Sequence, residues 1–332
     1  MGVGFLHSMT SALITGITGQ DGSLLAEFLL AKGYRVTGLV RRTSGDFPWR
    51  LEASRSRLNL IDGDLLDSGS LFRAVELAAP DEVYHLAAQS FVGASFDQPE
   101  LTANVTGLGT VRMIEAVRRC APHARFYQAS SSEMFGDAPH SPQRENTPFR
   151  PRSPYGAAKV FAHHSAVNAR EAHGMWVSCG ILFNHEGPRR GIEFVTRRIS
   201  HAVARIKFGL DSELTLGNLD ARRDWGSATD YVEAMWLMMQ ADEPSDWVVA
   251  TGESHSVREF CEVAFAYAGL NWTDHVRVDP DRRRPTDITG LIGDATRIEA
   301  ELGWVRKTSF KSLVEQMVDA DLARIAQNLG KG

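Results

Sequence analysis

A short apolar strand, residues 11 to 15, runs straight into Gly16-Ile-Thr-Gly19-Gln-Asp-Gly22 and then into a stretch whose Leu24, Leu25, Phe28 and Leu29 share one helical stripe. Strand, glycine turn and helix in that order let a backbone come close to a ligand's phosphates, while the helix start offers unsatisfied N–H groups and the positive end of its dipole. Three glycines alone often mark only a tight turn. The strand before them and the helix after them make a dinucleotide pyrophosphate the stronger reading, with Gly16, Thr18, Gly19, Gln20, Asp21 and Gly22 as candidate contacts.

The same rhythm continues. Residues 35 to 40, 58 to 62, 82 to 86 and 125 to 130 read as further strands, mostly apolar throughout, as in a sheet covered on both faces. Residues 104 to 119 and 155 to 172 read as long helices between or after them. Alternating strands and helices predict an α/β fold with a doubly wound parallel sheet of Rossmann type. After Ile181 the chain turns into Gly-, Pro- and Arg-rich loops, with helices expected near 194–208, 229–240, 256–268 and 308–328. The expected division is a dinucleotide-binding domain over 11–186, to which 219–241 returns, and a smaller irregular lobe built from 187–218 and 242–330. Residues 1–10 are expected to be a frayed start.

Composition narrows the partners. The 332 residues carry 36 Lys+Arg against 41 Asp+Glu, a formal charge of -5. That balance argues against nucleic acid or an anionic membrane surface and leaves small molecules. Cys120, Cys179 and Cys261 are odd in number and widely spaced, which excludes a disulfide framework and fits a reducing, cytoplasmic setting. No run is long and apolar enough for a membrane span. The histidines, His163-His164 included, show no metal-ligand spacing, and no Gly-x-Ser-x-Gly elbow surrounds the serine triplet at 130–132.

Two constellations carry chemistry. At the end of the second strand, where an acidic side chain would hold the ribose hydroxyls of NAD, stand Arg41 and Arg42, which suit a 2′-phosphate and so favour NADP; the bland alternative is a pair of solvated arginines. Asp64 with Leu65, and Leu86-Ala87-Ala88, fall at the strand ends where adenine and ribose would lie. Then comes Ser130-Ser-Ser-Glu133, followed by Tyr155-Gly-Ala-Ala-Lys159. Tyrosine and lysine four apart share a helix face, so the ammonium can lower the phenol's pKa and make it an acid–base group for alcohol–ketone interconversion. Glu133 could equally be a carboxylate that caps the next loop. The arginines at 189/190, 197/198, 222/223 and 282–284 would by themselves be solvated faces or ion pairs, though their recurrence in the loop-rich lobe suits a diphosphate. Trp225 and Trp236 are expected in the core.

Thr15-Gly-Ile-Thr-Gly-Gln-Asp-Gly22, Leu86-Ala-Ala-Gln-Ser90, Ser131-Ser-Glu133, Ser153-Pro-Tyr-Gly-Ala-Ala-Lys159, Asn184-His-Glu186, Phe194-Val-Thr-Arg-Arg198, Leu216-Gly-Asn-Leu-Asp-Ala-Arg-Arg-Asp-Trp-Gly226 and Arg284-Pro-Thr-Asp287 together resemble the GDP-mannose 4,6-dehydratases of the extended short-chain dehydrogenase/reductase superfamily. The resemblance runs from about Ser11 to the C-terminal helix; the segments at 184–198 and 216–226 are its more family-specific parts. Two positions depart from the family pattern: Ser131, where threonine is usual, and Gly187, where serine is commoner.

The resemblance implies an internal redox cycle on a sugar nucleotide. Tyr155, with Lys159 and the Ser131 hydroxyl, would take the C4 hydroxyl proton as hydride leaves C4 for NADP. Glu133 would then remove the C5 proton as water is lost from C6, and the hydride would return to C6. Ser90, His185 and Arg190 join the implied cofactor contacts. Ser90, Asn184, Glu186, Val195, Arg198, Gly217, Asn218, Arg223, Arg284 and Asp287 are the implied contacts of the GDP-sugar. A homodimer or homotetramer is implied, formed in part through residues 43–50. Relatives on the same fold, the GDP-4-keto-6-deoxy-sugar reductases and the dehydratases of GDP-manno-heptose, are the alternative activities.

Overall fold

The computed structural model describes residues 9–44, 46–279 and 290–330. β1 (Ser11–Thr15), α1 (Gln20–Ala31), β2 (Arg35–Val40), β3 (Asn59–Asp62), α2 (Ser68–Ala78) and β4 (Glu82–His85) follow in turn, with a 3-10 segment, Trp49–Arg57, between β2 and β3. Next come the short helices α3 (Val92–Asp97) and α4 (Pro99–Thr102), a π-helical turn at Ala103–Leu108, α5 (Gly109–Cys120), β5 (Arg125–Ser131), α6 (Pro154–His173) and β6 (Val177–Leu182). The remainder contains β7 (Asn184–Glu186), α7 (Val195–Lys207), β8 (Leu214–Leu216), β9 (Arg222–Arg223), β10 (Trp225–Ser227), α8 (Ala228–Gln240) and β11 (Asp246–Val249). It closes with β12 (His255–Ser256), α9 (Val257–Tyr267), α10 (Trp272–His275), β13 (Val276–Val278), α11 (Thr296–Leu302) and α12 (Phe310–Leu329).

One sheet has the order β11-β6-β5-β4-β1-β2-β3, and all its pairings are parallel. The chain winds outward from β1 in both directions, so the crevice of such a sheet opens between β1 and β4, at the strands' carboxyl ends. One face buries Leu25, Leu29, Met235 and Met238 from α1 and α8. The other buries Leu71, Val75, Met113 and Val117 from α2 and α5. Coverage on both faces is why β1 and β4 are buried at every position, the polar Glu82 and His85 included.

The sheet has two strands beyond the five legible in the sequence. β6 is buried at all six positions but includes Ser178, Cys179 and Gly180, which mask a strand signal. β11, only four residues long, comes from the stretch expected to build the smaller lobe. It pairs with β6, and Trp247, Val249, Ile298 and Trp304 join the core against α1 and α8. Residues 246–249 and 298–304 thus pack with the central sheet and its helices, and β11 covers backbone groups that β6 would otherwise leave unpaired at the sheet edge.

The smaller lobe has its own core, in which Ile199 and Val203 of α7, Phe260 and Phe265 of α9 and Val314 and Met317 of α12 pack together. Trp225 is buried there, 5.6 Å edge-to-face from Phe260. Trp236 packs on the main core beside Phe28 at 6.0 Å. Among the described residues no helix is long and apolar enough to cross a membrane.

Candidate active site

At the carboxyl ends of β1, β4 and β5 lies a cleft of about 650 Å³. Its floor is the glycine turn. Gly16 has φ +73°, a left-handed conformation, and a Cβ there would fall 2.8 Å from Ala87 N. A Cβ at Gly22 would fall 2.3 Å from Gly16 O, so α1 starts hard against the turn only because that residue is glycine. Gly19 is the N-cap of α1 and provides no side-chain acceptor for the first-turn N–H groups.

The expected cofactor contacts Gly16, Thr18, Gly19, Gln20, Asp21, Gly22, Arg41, Asp64, Leu65, Leu86, Ala87, Ala88, Ser90, Tyr155, Lys159, His185 and Arg190 all line this cleft. Arg42 does not; it is exposed beside it. The wall also holds Arg50, Gln89, Ser130, Glu193 and Phe194, which the motifs did not single out as contacts. Arg50 reaches the cleft from the 3-10 segment, and its Nε donates to Arg189 O at 2.8 Å. An arginine ten residues past the end of β2 carries no local signal of such a position.

A dinucleotide fits what these residues offer. The uncapped helix start and the close glycines make a cradle for phosphates. The buried Gln20 Oε1 and Gln89 Oε1 have no hydrogen-bond partner among the described residues. Beside the helix start, Asp21 Oδ2 lies 2.8 Å from His185 Nε2, and His185 Nδ1 lies 2.7 Å from Phe183 O. Both ring nitrogens face acceptors, so both carry protons. Burial alone would lower the imidazole's pKa, but the Asp21 carboxylate wins and raises it. Burial likewise pushes Asp21 up, yet the His185 charge and hydrogen bonds hold it down to about 2. Arg190 lies with its guanidinium 3.5 Å over the Phe194 ring and its Nε 3.0 Å from Glu186 Oε2.

The chemical groups come from the opposite wall. Ser153 caps α6, its hydroxyl accepting from Gly156 N at 3.0 Å, with Pro154 in the first helical position, where a missing N–H costs nothing. Tyr155 and Lys159 then point from the first turns into the end of β5, both buried. Ser131 hydrogen-bonds the Tyr155 hydroxyl, and its own oxygen accepts Glu133 N at 3.3 Å. Glu133, buried in the 3-10 turn after β5, lines the same cleft.

Burial acts on both groups of this pair. Lys159 Nζ donates to Ala129 O at 2.6 Å and sits 5.8 Å from the Tyr155 ring centre. Burial lowers the lysine to about 8. Burial raises the tyrosine, with the charge of Glu133 adding to it and the Ser131 hydrogen bond opposing it. The ammonium, 5.8 Å from the ring centre, does not offset that burial.

The implied sugar-nucleotide contacts separate into groups. Ser90 and Asn184 line the cleft. Glu186 does not: it is buried, accepts from Thr196 Oγ1 at 2.5 Å and braces Arg190. Val195, Arg198, Gly217, Asn218 and Arg223 also lie outside the cleft wall, in the smaller lobe. Arg198 Nη2 donates to Thr215 O at 2.9 Å, and Arg223 Nη1 to Arg222 O at 2.7 Å. Arg284 and Asp287 fall outside the described residues.

Comparison with known proteins gives this arrangement its place. A family model described as GDP-mannose 4,6 dehydratase matches residues 13–317. GDP-mannose 4,6 dehydratase 1 of Arabidopsis thaliana is 54% identical over 94% of this chain and 89% of that protein. GDP-mannose 4,6 dehydratase of Homo sapiens is 49% identical over 96% of this chain and 92% of that protein. Among solved structures, UDP-glucose 4-epimerase of Thermus thermophilus in complex with NAD superposes with a TM-score of 0.83 at 28% identity, covering 93% of this chain and 98% of that one. With sequence, sheet and cleft in agreement, the chain belongs to the GDP-mannose 4,6-dehydratase family of nucleotide-sugar dehydratases.

Proposed function

We propose that the protein converts GDP-mannose to GDP-4-keto-6-deoxy-mannose with loss of water, using tightly held NADP. The observation that carries this reading is that Tyr155, Lys159, Ser131 and Glu133 stand on one wall of the cleft whose floor is the glycine turn. NADP, when bound, would supply the hydride acceptor for C4 and the hydride donor for C6. Gly16, Gly19, Gly22 and the start of α1 would hold its diphosphate, and Arg41 would meet its 2′-phosphate. Tyr155 takes the C4 hydroxyl proton, with Ser131 orienting the phenol and Lys159 stabilising the phenolate. The resulting ketone acidifies C5–H, and Glu133 removes that proton and helps hydroxide leave C6 as water. Ser90 orients the sugar nucleotide, and His185 and Arg190 are the contacts expected to hold the dinucleotide.

Purified protein incubated with GDP-mannose and no added NADPH should give a product lighter by one water, with no net change in cofactor redox state. A protein that ignores GDP-mannose but oxidises NADPH with a 4-keto-6-deoxy sugar nucleotide would instead be a reductase. The same reading implies a homo-oligomer in a cytoplasmic setting. Light scattering at micromolar concentration tests the assembly, and a monomeric mass would overturn it.

A further inference from the structure

We propose that His163, held by Asp246, is a positioning residue that fixes the active-site end of β5 against the helix carrying Tyr155 and Lys159. The inference rests on the acid–base reading of Tyr155 given above.

Tyr155, Lys159 and His163 are spaced by four along α6 and so form one stripe, and all three are buried. Each binds a different one of three successive residues of β5. The Tyr155 hydroxyl meets that of Ser131, Lys159 Nζ donates to Ala129 O at 2.6 Å, and His163 Nδ1 lies 2.9 Å from Ser130 Oγ. The first two contacts belong to the reacting groups. The third ties the same strand end to the same helix from behind.

His163 is itself anchored. Its Nε2 faces Asp246 Oδ2 of β11 at 3.7 Å, and Asp246 Oδ1 accepts from Arg170 Nη1 at 3.0 Å. A carboxylate facing Nε2 keeps the proton on that nitrogen, so Nδ1 accepts the Ser130 hydroxyl proton. The Ser130 oxygen then turns its lone pairs elsewhere, and Ser130 lines the cleft. Burial, with His164 and Arg170 adding to it and Asp246 opposing, lowers His163 to about 4, so the ring stays neutral at working pH. His163, Cys179 and Asp246 offer donor atoms within 4.8 Å of one another. The Arg170 guanidinium already neutralises the shared carboxylate, so this group acts as a relay of one hydrogen bond, between Ser130 and His163, backed by the Asp246 charge.

If the relay sets the distance between β5 and α6, its loss reaches the chemical step through Ser131 and Tyr155 while leaving the sugar nucleotide's own contacts in place. His163→Leu should then lower kcat by about tenfold or more, the scale of a small misplacement of reacting groups, with the KM for GDP-mannose near the wild-type value. His163→Asn, whose amide reaches the place of Nδ1, should recover most of the loss. Ser130→Ala should reproduce it, and Ser130→Ala with His163→Leu should lose no more than either alone. A parallel fall of kcat and rise of KM, or wild-type kcat in a folded His163→Leu or Ser130→Ala variant, would overturn the proposal. A readout that needs no turnover is the imidazole nitrogen spectrum of the full-length protein, assigned with His163→Asn. It should show His163 as the neutral Nε2–H tautomer at neutral pH. A δ tautomer or an imidazolium there would refute the relay even if GDP-mannose proved not to be the substrate.

Discussion

Asp21 and His185, 164 residues apart in the chain, meet at 2.8 Å beside the start of α1. The contact joins the first βα unit to the segment that leads into the smaller lobe, and Gln20 Nε2 adds to it by donating to both Asp21 Oδ1 at 3.0 Å and His185 O at 3.1 Å. His185 also stacks on Tyr231 at 4.7 Å.

The pair has a pH window. Asp21 is lowered from 3.8 to about 2, so its contribution is present above 3.8 and lost as pH falls towards 2. His185 is raised above 6.5, so its contribution is complete below 6.5 and lost as pH rises through the raised value. The interaction is at full strength between those limits. A carboxylate shift of this size corresponds to about 2 kcal/mol. Asp21→Asn should therefore lower Tm most between 3.8 and 6.5. A difference from wild type that widens below that window would contradict the assignment.

Arg41 and Arg42 are adjacent in sequence, but only Arg41 lines the cleft. Arg41→Ala should weaken NADP by about tenfold to a hundredfold, the range for a charge-assisted phosphate contact, and leave NAD nearly unchanged. Arg42→Ala should have a much smaller effect. Isothermal titration of both cofactors checks this, and equal losses for NADP and NAD in Arg41→Ala would refute the 2′-phosphate contact.

How far the sequence reaches depends on how local the determinant is. The glycine turn, α1 and the Tyr155–Lys159 stripe follow from neighbours in the chain, and their residues were legible. β11 was not, because Asp246–Val249 becomes a strand only through its pairing with β6. Glu186 resembles a substrate contact by motif, yet Thr196 and Arg190 claim its carboxylate. Arg50 and Glu193 enter the cleft through tertiary packing. The surroundings of Tyr155 are long-range too: helical spacing brings Lys159 near, but the carbonyl of Ala129 decides where its ammonium points.

Asp321 of α12 shows a similar long-range determinant. It is fully buried and accepts from Arg197 Nη2 at 2.6 Å, Ser200 Oγ at 2.7 Å and Arg324 Nη1 at 3.2 Å. Arg197 Nη1 and Arg324 Nη2 both donate to Pro188 O, at 3.1 and 2.7 Å. The C-terminal helix thereby holds the loop that lays Arg190 in the cleft. Asp321→Ala leaves a buried guanidinium without its partner and should cost about 3–5 kcal/mol in denaturant unfolding. A loss below about 1 kcal/mol, the value of an exposed pair, would show that the cluster is not structural.

Glu133 and Tyr155 separate the two halves of the proposed reaction. Glu133→Gln keeps the size of the side chain and removes its basicity, leaving Tyr155, Ser131 and Lys159 in place to take the C4 proton. Adding GDP-mannose to the variant loaded with NADP should raise absorbance at the NADPH band, then stall with little 4-keto-6-deoxy product. Tyr155→Phe should give neither signal, because hydride cannot leave C4 while its hydroxyl proton stays. Losing one acid–base group lowers a rate by about 10²–10⁴-fold, so both blocks should be plain in a single turnover. Glu133→Gln turning over at nearly the wild-type rate would make the carboxylate a support for the 3-10 turn at Ser132–Met134, and the C5 base would have to be sought elsewhere on the cleft wall.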